Sequence, residues 1–166
     1  MESRSPQPAR DRSDAAVGTC VRCGGSERRD GDVEETWTFG AVSFVLRVPA
    51  QLCTGCGESY VWGPDLGAAE DRVTRELVAR SVADSRAVRW LRKRARLRGA
   101  ELATLLGVTP ETVSRWENGH HPMDRAPLAL LGMLALDAIE DRTTTLDLLR
   151  RHAQLPNTGV VRLDAA

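Results

Sequence analysis

The sequence predicts an α+β protein of two domains, a small four-cysteine β module followed by an all-α domain. Three observations predict it. The four cysteines fall in two matched Cys-x2-Cys-Gly pairs, Cys20/Cys23 and Cys53/Cys56. Residues between the pairs alternate apolar and polar side chains, whereas those after Pro64 place apolar side chains at helical spacing. Glycine and proline punctuate the second half where helices close and open. At 166 residues, two small domains are affordable.

Residues 1–17 mix Ser, Pro, Arg and Asp without periodicity and read as a tail. They hold charges and no apolar stretch, so no secretory signal is expected and a cytoplasmic location is. No apolar run approaches the ~18–20 residues of a spanning helix, so no membrane partner is expected. In the module, residues 18–64, the apolar positions Trp37, Phe39, Val42, Phe44, Leu46 and Val48 break register at Gly40-Ala41. That pattern predicts two short strands around a turn or bulge. Residues 65–84 read as a linker helix, with Val73, Leu77 and Val78 at helical spacing.

The all-α domain covers residues 85–155. Val88, Leu91 and Ala95 share a face of its first helix; Leu102, Ala103 and Leu106 belong to its second. Gly107 closes that helix, because glycine takes the left-handed conformation without strain. Thr109-Pro110-Glu111 supplies an N-cap, an N1 proline and an acidic first turn for a third helix, which ends at Asn118-Gly119. A fourth helix is expected around Leu128, Leu131 and Leu134, and a fifth over Thr144–His152, with residues 156–166 as a second tail.

Net charge is zero but unevenly spread. Through Asp65 acids outnumber bases ten to seven; beyond it bases lead sixteen to thirteen. Arg86, Arg89, Arg92, Lys93, Arg94, Arg96 and Arg98 fall between Ser85 and Ala100 with no acid among them, a local cationic face suited to phosphates. Lys93 is the only lysine. A GC-rich genome gives the same preference for Arg, so Arg identity alone carries little weight.

The cysteine pairs point to a metal. A Cys-x2-Cys turn sets two thiolates on one edge of a tetrahedron, and the following glycine lets the chain curl so that N–H groups face sulfur. Two such knuckles complete four ligands, Cys20, Cys23, Cys53 and Cys56, at about 2.3 Å from one structural zinc per chain. So small a module buries little core, and the metal would supply much of its folding energy. Cytosolic thiols stay reduced, which argues against disulfides. A redox dithiol needs no second matched pair. Four-thiolate geometry alone does not choose between zinc and a rubredoxin-like iron. With no ligand position left for water, catalysis at the metal is not expected.

The segment Leu102–Gly119 has the form of a helix-turn-helix, and its second helix has the proportions of a recognition helix. Val113 and Trp116 would be buried, leaving Pro110, Glu111, Thr112, Ser114 and Arg115 outward. Arg115 carries the fork that matches guanine O6 and N7. Thr109, Thr112, Asn118 and Arg125 suit phosphates, which position a duplex without reading it.

Residues 86–138 resemble the lambda-repressor-like, XRE-type helix-turn-helix family through Leu91-Arg92, Leu97, Leu102-Ala103, Leu106-Gly107-Val108-Thr109 and Val113–Gly119. The resemblance implies that Arg92 pairs with Glu117, which removes Arg92 from the free cationic face. Where that family has Ser or Thr and then Gln at the start of the second helix, this chain has Arg98 and Gly99. A cap worth about 1 kcal/mol is thereby lost, although Arg98 still reaches toward a phosphate. The paired knuckles, the strand-rich insert, VPAQLCTGCGESY, the linker helix and the XRE-type domain together resemble the MqsA-type (YgiT-like) antitoxin family over about Thr19–His152. That resemblance implies a homodimer that represses its own operon from a palindromic operator. It also implies a zinc domain that docks a toxin, typically an mRNA-cleaving one. The family's operator-reading Asn is Glu111 here, so Glu111 either accepts from cytosine N4 or serves only as the helix's dipole-matched acid.

Two other readings remain at this stage: a stand-alone repressor without a toxin, and a docking adaptor that does not read DNA. An enzyme is not expected, since three histidines and no glycine-rich phosphate loop give no acid–base or phosphate site. Trp37, Phe39, Phe44, Tyr60 and Trp62 are either the module's own core or anchors for a partner.

Overall fold

The computed structural model describes residues 18–154; the tails expected at 1–17 and 156–166 lie outside them. Three strands come first, β1 (Arg28–Phe39), β2 (Val42–Cys53) and β3 (Ser59–Val61). Six helices follow: α1 (Gly63–Ala79), α2 (Ser85–Arg94), α3 (Gly99–Leu106), α4 (Pro110–Glu117), α5 (Arg125–Ile139) and α6 (Thr144–Gln154). This is the α+β order expected. The chain divides into two compact units, one including the described residues up to Trp37 with Phe44–Glu70, the other including Thr38–Ser43 and the described residues from Asp71 on.

The first unit is built on a sheet of order β1-β2-β3. Both long strands run twelve residues, longer than the two short strands expected. The reason is the solvated face. Asp32, Glu34 and Thr36 alternate outward while Val33 and Trp37 are half-buried, and an antiparallel sheet tolerates charge on the face it shows to water. β3 is too short for periodicity to reveal. It pairs antiparallel with β2 through Ala50↔Val61, Gln51↔Tyr60 and Leu52↔Ser59, so the second cysteine knuckle is the turn of a hairpin.

In the helical unit, Leu77, Val88, Leu91, Leu102 and Leu131 are almost wholly buried. Val73, Thr74 and Leu77 of α1 belong to this core, so the second half of that helix packs and does not merely link. Phe39 is buried against the edge of Trp90, with ring centroids 5.5 Å apart. The Trp90 indole N–H donates to Thr74 Oγ1 at 3.0 Å, which satisfies the ring's one polar group. Asp84 caps α2 by accepting from the Arg86 N–H at 2.9 Å. Asp137, nearly buried, accepts from the Thr145 N–H at 3.0 Å and from Arg142 Nε at 3.1 Å. These bonds, with that of the Thr145 hydroxyl first among them, hold its carboxyl below the usual carboxylate range and anchor the start of α6.

Candidate metal centre and recognition surface

The two knuckles repeat one backbone plan. Cys20 N–H donates to Gly25 O at 2.7 Å, and Gly24 N–H donates back to Cys20 O at 2.8 Å. In the second copy, Cys53 N–H donates to Glu58 O at 2.8 Å and Gly57 N–H to Cys53 O at 2.9 Å. Gly24 and Gly57 have φ of 76° and 75°, a conformation that disfavours a side chain. That is why a glycine follows each pair.

The plan brings all four sulfurs together. The Sγ atoms of Cys20, Cys23, Cys53 and Cys56 lie within 4.8 Å of one another. Cys20–Cys56 and Cys23–Cys53 are each 3.6 Å apart, too far for a disulfide. Four sulfurs around a metal at about 2.3 Å would be about 3.8 Å apart, close to the spacing of these two pairs. The four cysteines could hold one metal ion.

The surroundings favour thiolate at Cys20 and Cys53 and oppose it at Cys56. Tyr60 Oη donates to Cys20 Sγ at 3.2 Å and accepts from the Val21 N–H at 3.1 Å. The hydroxyl's bond, helped by the Arg22 and Cys23 N–H groups, lowers Cys20 to about 6. Cys53 is lowered by the N–H groups of Cys56 and Gly55. The Glu58 N–H lowers Cys56, but burial and the three neighbouring sulfurs outweigh it and push that thiol up to about 12. Four thiols therefore cannot all ionise without a cation among them. Arg28 stacks on the Tyr60 ring at 4.1 Å, holding the phenol from its other side chain face. Sequence alone assigned Tyr60 to core or partner; its spacing from Cys56 gave no sign of a bond to sulfur.

The helix, turn and helix expected over Leu102–Gly119 form in the other unit. α3 ends at Gly107, which has φ of 67°, and α4 starts after Thr109, whose hydroxyl accepts from the Thr112 N–H at 3.2 Å. Val113 and Trp116 are buried; Pro110, Glu111, Ser114 and Arg115 are exposed, and Thr112 is half-buried beside the Thr109 hydroxyl. The Glu111 N–H and the Thr109 hydroxyl hold the Glu111 carboxyl below its usual range, which suits an acid of the helix's own first turn. Asn118 donates to Ser114 O at 2.9 Å and accepts from Arg89 Nη2 at 2.9 Å.

The cationic run sorts into two sets. Arg92 forms a two-bond fork with Glu117, Nε to Oε1 at 2.5 Å and Nη2 to Oε2 at 3.1 Å, and donates to Leu97 O at 2.8 Å. Arg89 shares Glu117, and Arg94 pairs with Asp71. Arg86, Lys93 and Arg96 are exposed and make no ion pair among the described residues. Arg98 pairs with Glu101 at 3.1 Å. Glu101 Oε2 also accepts the Arg98 N–H at 2.7 Å, so part of the lost α3 cap is restored from the third residue of the helix. The guanidinium groups of Arg115 and Arg125 are exposed and without an ion pair among the described residues.

The fold and the cysteine cluster define a class: a four-cysteine module able to hold a metal, followed by an all-helical domain containing a helix, a turn and a second helix. A family profile described as the antitoxin component of a bacterial toxin-antitoxin system, MqsA, matches residues 18–156, and the chain belongs to that family. Its role is therefore that of an antitoxin, a regulator. No curated protein matches the chain. Among the described residues no helix is long and apolar enough to cross a membrane.

Proposed function

We propose that the protein is a sequence-specific DNA-binding antitoxin that represses its own operon, as a homodimer on a palindromic operator, while its metal module docks a toxin. One observation carries the DNA half: α4 presents an exposed, unpaired Arg115 beside Ser114 on the face opposite buried Val113 and Trp116. A guanidinium there costs no internal ion pair when it turns to a guanine edge. Ser114 and Pro110 flank it, and Glu111 is the acid of the helix's first turn. Thr109, Thr112, Asn118, Arg98 and Arg125 position the phosphates; the two arginines have donors left over, while the other three exchange an internal bond for a phosphate oxygen.

The metal is zinc, one per chain, held by Cys20, Cys23, Cys53 and Cys56. It supplies a cross-link between the two knuckles and no reaction, since four protein ligands close its coordination. The sheet it fixes is the surface offered to the toxin.

Arg115→Ala tests the reading on DNA from the protein's own promoter. Specific affinity should fall by about 1–3 kcal/mol, with affinity for unrelated DNA and the melting temperature unchanged. Wild-type operator affinity in that variant would remove α4 from the interface. Co-purification with the product of the adjacent gene tests the toxin half.

A further inference from the structure

A cavity of about 640 Å³ opens in the helical unit beside α1, α2 and α5. Its accessible apolar lining is Val78, Ala83, Ala129 and the half-exposed Met133, over a floor of buried Leu77, Leu91 and Leu128. No carboxylate lines it. Its one charged group is Arg125, at the first position of α5, whose guanidinium has no ion pair among the described residues. Asp124, the N-cap, makes no side-chain bond to the helix, and Pro127 has no N–H to cap. The positive end of a fifteen-residue helix therefore adds to Arg125.

Small-molecule sites have about this volume, with apolar walls and few polar groups that fix orientation. Covering its exposed apolar lining with a hydrocarbon removes that surface from water. A single cation on such a wall selects a single anion. We propose that this cavity binds an amphipathic carboxylate, its hydrocarbon along Val78, Ala129 and Met133 and its carboxylate on Arg125. Arg125 then serves two ligands. A carboxylate seated on it withdraws it from the DNA phosphate, so the bound molecule weakens operator binding. This second step rests on the DNA-binding reading above; the binding step does not.

The experiment uses the metal-loaded full chain and cis-parinaric acid, which fluoresces in apolar surroundings. Saturable binding is expected at one site per chain, with oleate displacing the probe about tenfold better than oleyl alcohol does, because only the acid makes a charge-assisted bond. Arg125→Ala should erase that preference. Ala129→Trp, at an exposed lining position, should fill the space and abolish binding with an unchanged melting temperature. Absence of saturable binding, equal displacement by the alcohol, or full binding by Ala129→Trp would each overturn the site. So would loss of self-association in Ala129→Trp together with no probe uptake by wild type, which would make the cavity an interface between two copies. Saturating oleate should then lower operator affinity about tenfold, the same charge-assisted bond being lost to DNA. Unchanged operator affinity with oleate bound would overturn the regulatory step alone. A chain that binds no DNA leaves the fluorescence result to decide the site.

Discussion

The Tyr60 hydroxyl donates its proton to Cys20 Sγ at 3.2 Å while taking the Val21 N–H at 3.1 Å, so one phenol fixes both the charge and the position of a metal ligand. A partner beyond the ligand shell commonly orients and tunes a ligand in this way. The sign follows from the shift. Cys20 is lowered from 9.0 to about 6, so its thiolate adds stability that is complete above 9.0 and lost as pH falls through 6. Tyr60→Phe removes the largest cause. The pH at which acid releases half the zinc should move upward in that variant, read with a chromophoric chelator. An unmoved or lower midpoint would show that the phenol only packs.

The knuckle glycines separate conformation from space. A Cβ at Gly24 or Gly57 meets nothing within 4 Å, yet both residues have φ near 75°. Gly57→Ala should therefore cost about 1–2 kcal/mol from backbone strain alone. Asn tolerates the left-handed region better, so Gly57→Asn should retain more stability than Gly57→Ala. Chemical denaturation of the zinc-loaded protein orders the three; Asn at or below Ala would contradict the cause.

Two arginines on one acid should differ sharply. Arg92 and Glu117 are 15% and 10% exposed, whereas Arg89 is 47% exposed. Removing Arg92 leaves the mostly buried Glu117 with only the longer contact to exposed Arg89, and Arg92→Ala should cost about 3 kcal/mol. Arg89→Ala should cost under about 1 kcal/mol, since solvent screens it. Equal losses in urea melts would mean that Glu117 is not held in the way its two bonds suggest.

The unpaired cations should act through phosphate. Replacing Arg86, Lys93 or Arg96 with Ala should weaken binding to all DNA sequences alike. If that cation contacts a phosphate, the slope of log affinity against log salt should flatten by about 1. Arg94→Ala should leave the slope unchanged, because Asp71 already holds that side chain. A flattened slope for Arg94→Ala, or a sequence-dependent loss for the other three, would count against this division of the run.

Local chemistry carried much of the protein. Cysteine spacing alone specified the metal cluster, because a Cys-x2-Cys-Gly turn is closed by bonds within six residues. Gly107 and the Thr109-Pro110 pair likewise placed the helix-turn-helix, since caps and left-handed turns are decided by neighbours in sequence. Helical periodicity identified Val113 and Trp116 as the buried face of α4. What depends on distant contacts was not legible. β3 exists because the second knuckle folds Ser59–Val61 back onto β2. Tyr60 became the partner of Cys20 across forty positions of sequence. Phe39 left the ambiguous set of aromatics because it meets Trp90, and Trp37, Phe44 and Trp62 stayed half-buried. The seven-cation run divided into paired and unpaired side chains only when Asp71 and Glu117 arrived from other elements. Charge in a sequence counts groups, whereas a folded surface offers only those that no internal carboxylate has already claimed.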